Sequence, residues 1–114
     1  MKYAVLIYSS EARDTFESLP ESEQQAIMGE YMALSELPAA IGGAQLQPGA
    51  TATTVRVDNG STLTTDGPYA ETKELLGGFY LIDVADIDGA LDFASKVPAA
   101  RLGGLVEVRP LVER

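Results

Sequence analysis

Residues 2–8 form an almost unbroken apolar run, the pattern of a strand covered on both faces. Tyr3, Val5 and Ile7 point to one side; Ala4, Leu6 and Tyr8 point to the other. The polar residues 9–18 read as a loop. Ser18-Leu19-Pro20-Glu21 then has the form of a capping box, with serine at the N-cap and glutamate at N3. Proline early in the first turn costs little, because its missing donor would have had no helical partner. The spacing predicts a helix from about residue 19 to 37, with Ile27, Tyr31 and Leu34 on one face and Met28 and Met32 beside them as core filling. Pro38 should stop it, with one further turn over 39–41 before Gly42-Gly43 supplies a left-handed end.

Residues 44–52 read as a loop turning at Pro48-Gly49. Residues 53–58 and 61–65 alternate around Asn59-Gly60 and predict a hairpin with a type I′ turn, which needs positive φ at both central positions. Asp66-Gly67-Pro68 marks a second turn, followed by a charged loop with Glu71, Lys73 and Glu74. A buried strand over 78–84 leaves that loop. Asp86 then caps a second helix whose apolar positions are Ile87, Ala90, Leu91 and Ala94. Lys96 lies in its last turn and Pro98 closes it; Gly103-Gly104 precedes a last strand over 105–109, with Val106 and Val108 on one face and Glu107 and Arg109 on the other.

Strands alternating with two helices around a hairpin imply one α+β sandwich domain over 1–114, its helices on one sheet face. The second face, with Leu6, Tyr8 and Leu81 or Ile82, is too apolar to stay wet, and a two-fold homodimer closing two such faces together is the simplest remedy.

Composition removes whole classes of function. The net charge of -9, with only eight Lys and Arg, argues against nucleic acid as a partner, since phosphate neutralisation needs clustered cations. There is no cysteine, which excludes disulfides, thiolate nucleophiles and zinc-thiolate sites. The longest apolar run is far short of the ~20 residues that a membrane span requires. The N-terminal run lacks a small-residue cleavage site, so the expected location is the cytoplasm, with no membrane partner.

Neither histidine nor cysteine is present, so proton transfer near neutral pH would need a carboxylate or lysine shifted by its surroundings. Asp66, just before a rigid turn, is the leading candidate for a general acid or base; the same residue suits hydrogen bonding within its own turn. A serine or threonine nucleophile would need Lys73 as its base. Arg56 and Arg109 are candidates to hold an anionic ligand, or to form ion pairs with Asp66 or Glu107. Tyr8 and Tyr69 could line an aromatic-walled pocket, whereas Tyr80 is better read as core. Gly77-Gly78 lacks the spacing of a phosphate loop, and the carboxylates at 83, 86, 88 and 92 lack the calcium-loop pattern, so no metal and no cofactor is predicted.

Asp66-Gly67-Pro68-Tyr69-Ala70-Glu71-Thr72-Lys73-Glu74, followed by Gly77-Gly78-Phe79-Tyr80-Leu81-Ile82, resembles the DGPF-motif branch of the YCII-related proteins. Residues 1–8, Thr53, Val55 and Arg56, and the closing 106–110 also resemble that branch, with Tyr69 where its name has phenylalanine. The resemblance implies a ferredoxin-like βαββαβ fold and a dimeric α/β barrel. Some relatives are thought to use a His–Asp pair on small organic molecules; that pair cannot exist here. It further implies a regulatory or stress-linked role and a functional link to a sigma factor. Two functions follow from these residues: a homodimeric module binding a small organic ligand in the cleft between sheets, or a small lyase- or isomerase-like enzyme using Asp66.

Overall fold

The apolar run at the start of the chain becomes β1 (Lys2–Tyr8), an inner strand of a four-stranded antiparallel sheet. The computed structural model describes residues 1–67 and 75–113. β1 is flanked by β5 (Leu76–Asp83) and β6 (Leu105–Pro110), and β2 (Ala40–Gln45) pairs with the far side of β5. Two helices, α1 (Ser10–Glu17) and α2 (Glu21–Ser35), connect β1 to β2, and α3 (Ile87–Ser95) connects β5 to β6. The order β2-β5-β1-β6, built from two crossovers that each skip one strand, is a ferredoxin-like α+β fold. β3 (Thr53–Asp58) and β4 (Ser61–Asp66) pair with each other in a separate two-stranded sheet, inserted between β2 and β5.

This arrangement corrects the sequence reading at its centre. Residues 39–41 and Gly42-Gly43 do not end a helix: residues 40–45 are the second strand of the fold. Glycine pairs read locally as a stop, but here β5 supplies the hydrogen-bonding partner that overrides propensity. The hairpin is thereby displaced from the sheet to an insertion. Its turn is as predicted, with Asn59 at φ 49° and Gly60 at φ 77°.

Residues 9–18 are not a loop. α1 is eight residues long, too short to display a repeating apolar stripe, yet it buries Ala12 and half-buries Phe16. The capping box does not form either. Ser18 closes α1 instead, its hydroxyl donating to the Thr15 carbonyl at 2.6 Å, and Pro20 takes the N-cap of α2. At α3 the cap is as predicted: Asp86 accepts from the Gly89 N–H at 3.0 Å. The buried positions of α3 are Ala90, Phe93 and Ala94, whereas Ile87 and Leu91 are exposed.

The core lies between the helices and one sheet face. Tyr3, Val5 and Ile7 pair with Ile82, Tyr80 and Gly78 on one side, and with Pro110, Val108 and Val106 on the other. Among the described residues, β1 is therefore covered on one face only. Ala4, Leu6, Phe79 and Leu81 remain part-exposed on the other face, level with Glu107 and Arg109 of β6. The hairpin is thinly covered too: Val55, Val57 and Leu63 are 59%, 70% and 51% exposed. These features make a flat molecule of 46 × 42 × 19 Å. Its radius of gyration, 15.9 Å, exceeds the roughly 13 Å expected of a compact chain of this length.

Candidate functional site

On the helix-covered side of the sheet, a cavity of about 520 Å³ opens between α1, α2, β2 and β5. That is within the ~300–1,000 Å³ typical of small-molecule sites. It exists because its floor carries little side-chain bulk. β2 and β5 bring Gly42-Gly43 and Gly77-Gly78 onto adjacent strands, with Gly43 opposite Tyr80 and Gln45 opposite Gly78. A Cβ on Gly78 would lie 3.0 Å from the Ala44 carbonyl oxygen, and one on Gly77 would collide with the Ser9 hydroxyl. At Gly78 the obstacle is β2 backbone, so glycine there lets β5 run this close to β2.

The walls come from the helices. α1 contributes Ala12, Arg13 and Phe16. From α2 come the rows 27–31–35 and 28–32, which share a face because positions four apart are neighbours on a helix. Ile27 is buried, but Met28 and Met32 are 43% and 61% exposed. The methionines therefore do not fill the core; they are adaptable thioethers along the cavity's solvent side.

Two tyrosines tie the cavity to the core. The Tyr80 hydroxyl donates to the Tyr31 carbonyl at 2.9 Å, and the Tyr31 hydroxyl accepts from the Ala99 N–H at 3.2 Å. The Tyr80 ring stands edge-on to Phe93 at 5.3 Å, the core role expected of it. Burial pushes both phenols above their ordinary pKa; at Tyr31 the Ala99 hydrogen bond and Arg101 partly offset this, and at Tyr80 the neighbouring Tyr31 adds to it. Below the ordinary phenol value of about 10, both rings are neutral whether the chain is folded or unfolded. Above it, the unfolded chain ionises first, so the stability these neutral phenols contribute is lost as pH rises through the folded values. Urea midpoints should accordingly fall as pH rises past about 10, and less steeply in Tyr80→Phe. Equal alkaline slopes in the two proteins would remove Tyr80 from this account.

The residues singled out from sequence lie elsewhere. Tyr8 is half-buried at the end of β1, opposite Leu105, with an irregularity in register between Ile7 and Tyr8. Arg109 is exposed on β6 and forms an ion pair with Glu107 at 2.5 Å, one of the two roles foreseen for it. Arg56 is exposed in the hairpin opposite Leu63. Asp66 is the exposed last residue of β4, opposite Thr53. The turn after it is held by backbone: the Gly67 N–H donates to the Ala52 carbonyl at 2.7 Å, and the Gly67 carbonyl accepts from the Thr54 hydroxyl at 2.8 Å. Tyr69 and Lys73 lie outside the described residues.

Tyr8, Arg56, Asp66 and Arg109 are not among the residues lining the cavity. Sequence reasoning passed over Ser9, Arg13 and Gln45, which are. The signal that points to them is the pair of Gly-Gly steps at 42–43 and 77–78, which is legible only once residues 40–45 are recognised as a strand. Among the described residues, no group of three or more His, Cys, Asp or Glu could hold a metal ion, and no helix is long and apolar enough to cross a membrane.

An uncharacterized protein of Rhizobium meliloti (strain 1021) is 43% identical over 117 residues, covering 97% of this chain and 92% of the relative. The family model of the YCII-related domain matches residues 1–114. Ferredoxin-like topology, end-to-end likeness to that relative and a full-length domain match agree, and the chain belongs to the YCII-related family.

Proposed function

We propose that this protein is a homodimeric binding module that takes a small, largely apolar organic molecule into the cavity between α1, α2 and the sheet. The observation that carries this reading is the composition of the cavity wall. Its polar side chains among the described residues are Ser9, Arg13, Tyr31, Ser35, Gln45 and Tyr80. None is a carboxylate, imidazole or amine that could be tuned toward neutrality, so the described residues give the site the volume of a ligand pocket without a proton donor-acceptor suited to catalysis near pH 7. Such a module fits the regulatory or stress-linked role implied by the resemblance to the DGPF-motif branch.

Methionine methyl NMR tests the reading directly. Met28 and Met32 line the cavity, while Met1 does not and serves as an internal control. A panel of small aromatic and aliphatic compounds should shift the Met28 and Met32 methyl resonances saturably and leave Met1 in place. If no compound moves them, or if all three move together, the reading fails.

The homodimer rests on the open sheet face. Four strands about 4.8 Å apart and roughly 20 Å long offer roughly 400 Å² of face per copy. Doubled, that is short of the roughly 1,200–2,000 Å² that stable complexes bury. The exposed apolar side chains of the hairpin, Val55, Val57 and Leu63, supply further surface, and an isolated two-stranded hairpin gains from a neighbour to pack on.

A further inference from the structure

The cavity wall holds one charged residue among the described residues, and it is a cation: Arg13. This is notable in a chain with 17 Asp and Glu against 8 Lys and Arg. The other described arginines with a clear setting are committed elsewhere. Arg101 is paired with Glu30, and Arg109 with Glu107. The Arg13 side chain, half-buried, makes no hydrogen bond or ion pair with another described residue.

Beside it sits a second unspent polar group. Ser9 precedes Arg13 by one helical turn, its carbonyl accepting from the Arg13 N–H at 2.7 Å. It occupies the N-cap of α1, yet its hydroxyl makes no capping hydrogen bond. This segment thus brings to the cavity a guanidinium and a hydroxyl, neither with a hydrogen-bond partner among the described residues. Around them the lining is largely apolar, with Phe16 on the same helix and Ile27, Met28 and Met32 on α2.

We propose that the ligand is an organic acid, an apolar body bearing one carboxylate, with Arg13 as the anchor that donates to the carboxylate and Ser9 as a second donor. This rests on the cavity being a binding site, and it adds the chemical class that the site selects. A guanidinium meets a carboxylate through two parallel N–H donors, which an ammonium cannot reproduce. The site must also draw an anion against the field of an acidic protein, which an uncompensated arginine achieves and a neutral wall does not.

The test titrates the protein with three matched pairs, benzoate, naphthalene-2-carboxylate and decanoate, each against its primary amide, by calorimetry and methionine methyl NMR. At least one acid should bind the wild-type protein about tenfold or more tighter than its amide. Arg13→Met should erase that preference while leaving the melting temperature near wild type; Arg13→Lys should recover only part of it. Equal binding of acid and amide would overturn the assignment of ligand class while leaving the cavity as a binding site. A preference surviving in Arg13→Met would overturn the role of Arg13. Binding of neither member of any pair would sink the cavity reading and this one together.

Discussion

Gly43→Ala is expected to cost about 3–5 kcal/mol of stability, lowering the melting temperature by about 10–20 °C. Gly43 has φ 148°, a backbone conformation that side chains rarely adopt. A Cβ there would lie 2.5 Å from the Phe79 carbonyl oxygen and 3.1 Å from the Tyr80 Cα. Both obstacles are backbone atoms of β5, so no rotamer change relieves them; the strands must part. Since β2 and β5 form the cavity floor, ligand-induced shifts at Met28 and Met32 should vanish along with the stability. Gly42→Ala is the matched control. Its Cβ would meet the Leu81 side chain at 3.6 Å, an ordinary contact, and no positive φ is involved. It should stay within about 1 kcal/mol of wild type. Urea unfolding of the two variants decides the matter, and equal stabilities would refute the close approach of β2 to β5.

Leu6→Lys should turn a dimer into a folded monomer. Leu6 lies on an inner strand of the open face, between Phe79 of β5 and Glu107 of β6 in register. Within one copy a lysine there is tolerable, because it is part-exposed and Glu107 is its cross-strand neighbour. In a two-fold interface the same substitution enters twice and buries two cations in an apolar contact, at a cost of several kcal/mol. The dissociation constant should rise by about a thousandfold or more. Light scattering at micromolar concentration should report close to twice the 12.1 kDa chain mass for wild type, and the chain mass for the variant. Circular dichroism should report an unchanged fold. A wild-type protein of single mass, or a variant that still pairs, would each refute dimerisation through this face.

The contrast between these two positions marks how far the chain could be read in advance. The strand over residues 2–8, the hairpin turned at Asn59-Gly60, the Asp86 cap and the last strand all declare themselves through short-range patterns: alternation, positive-φ residues, a side chain reaching its own helix start. Such signals act within a few residues, so the amino-acid order alone carries them, and with them the α+β class and the apolar open face. β2 carries no such signal. Its glycines look like a helix stop until β5, some 35 residues later, supplies the partner that makes them a strand. α1 is hidden likewise, because two turns of mostly polar residues acquire a buried face only when Ala12 and Phe16 meet the rest of the fold.

The candidate site depends on those two unread elements. Asp66, Arg56 and Arg109 drew attention because charge beside turns is visible in one dimension. Arg13 looked like one more polar residue in a presumed loop. By itself, then, the sequence determined the family resemblance, the absence of histidine and cysteine chemistry, and the apolar second face of the sheet. Tertiary structure alone decided which glycines lie beneath the helices, that a cavity opens above them, and that an arginine without a carboxylate partner among the described residues lines it. Those properties come from the distance between segments remote in the chain, and distance of that kind is set by packing.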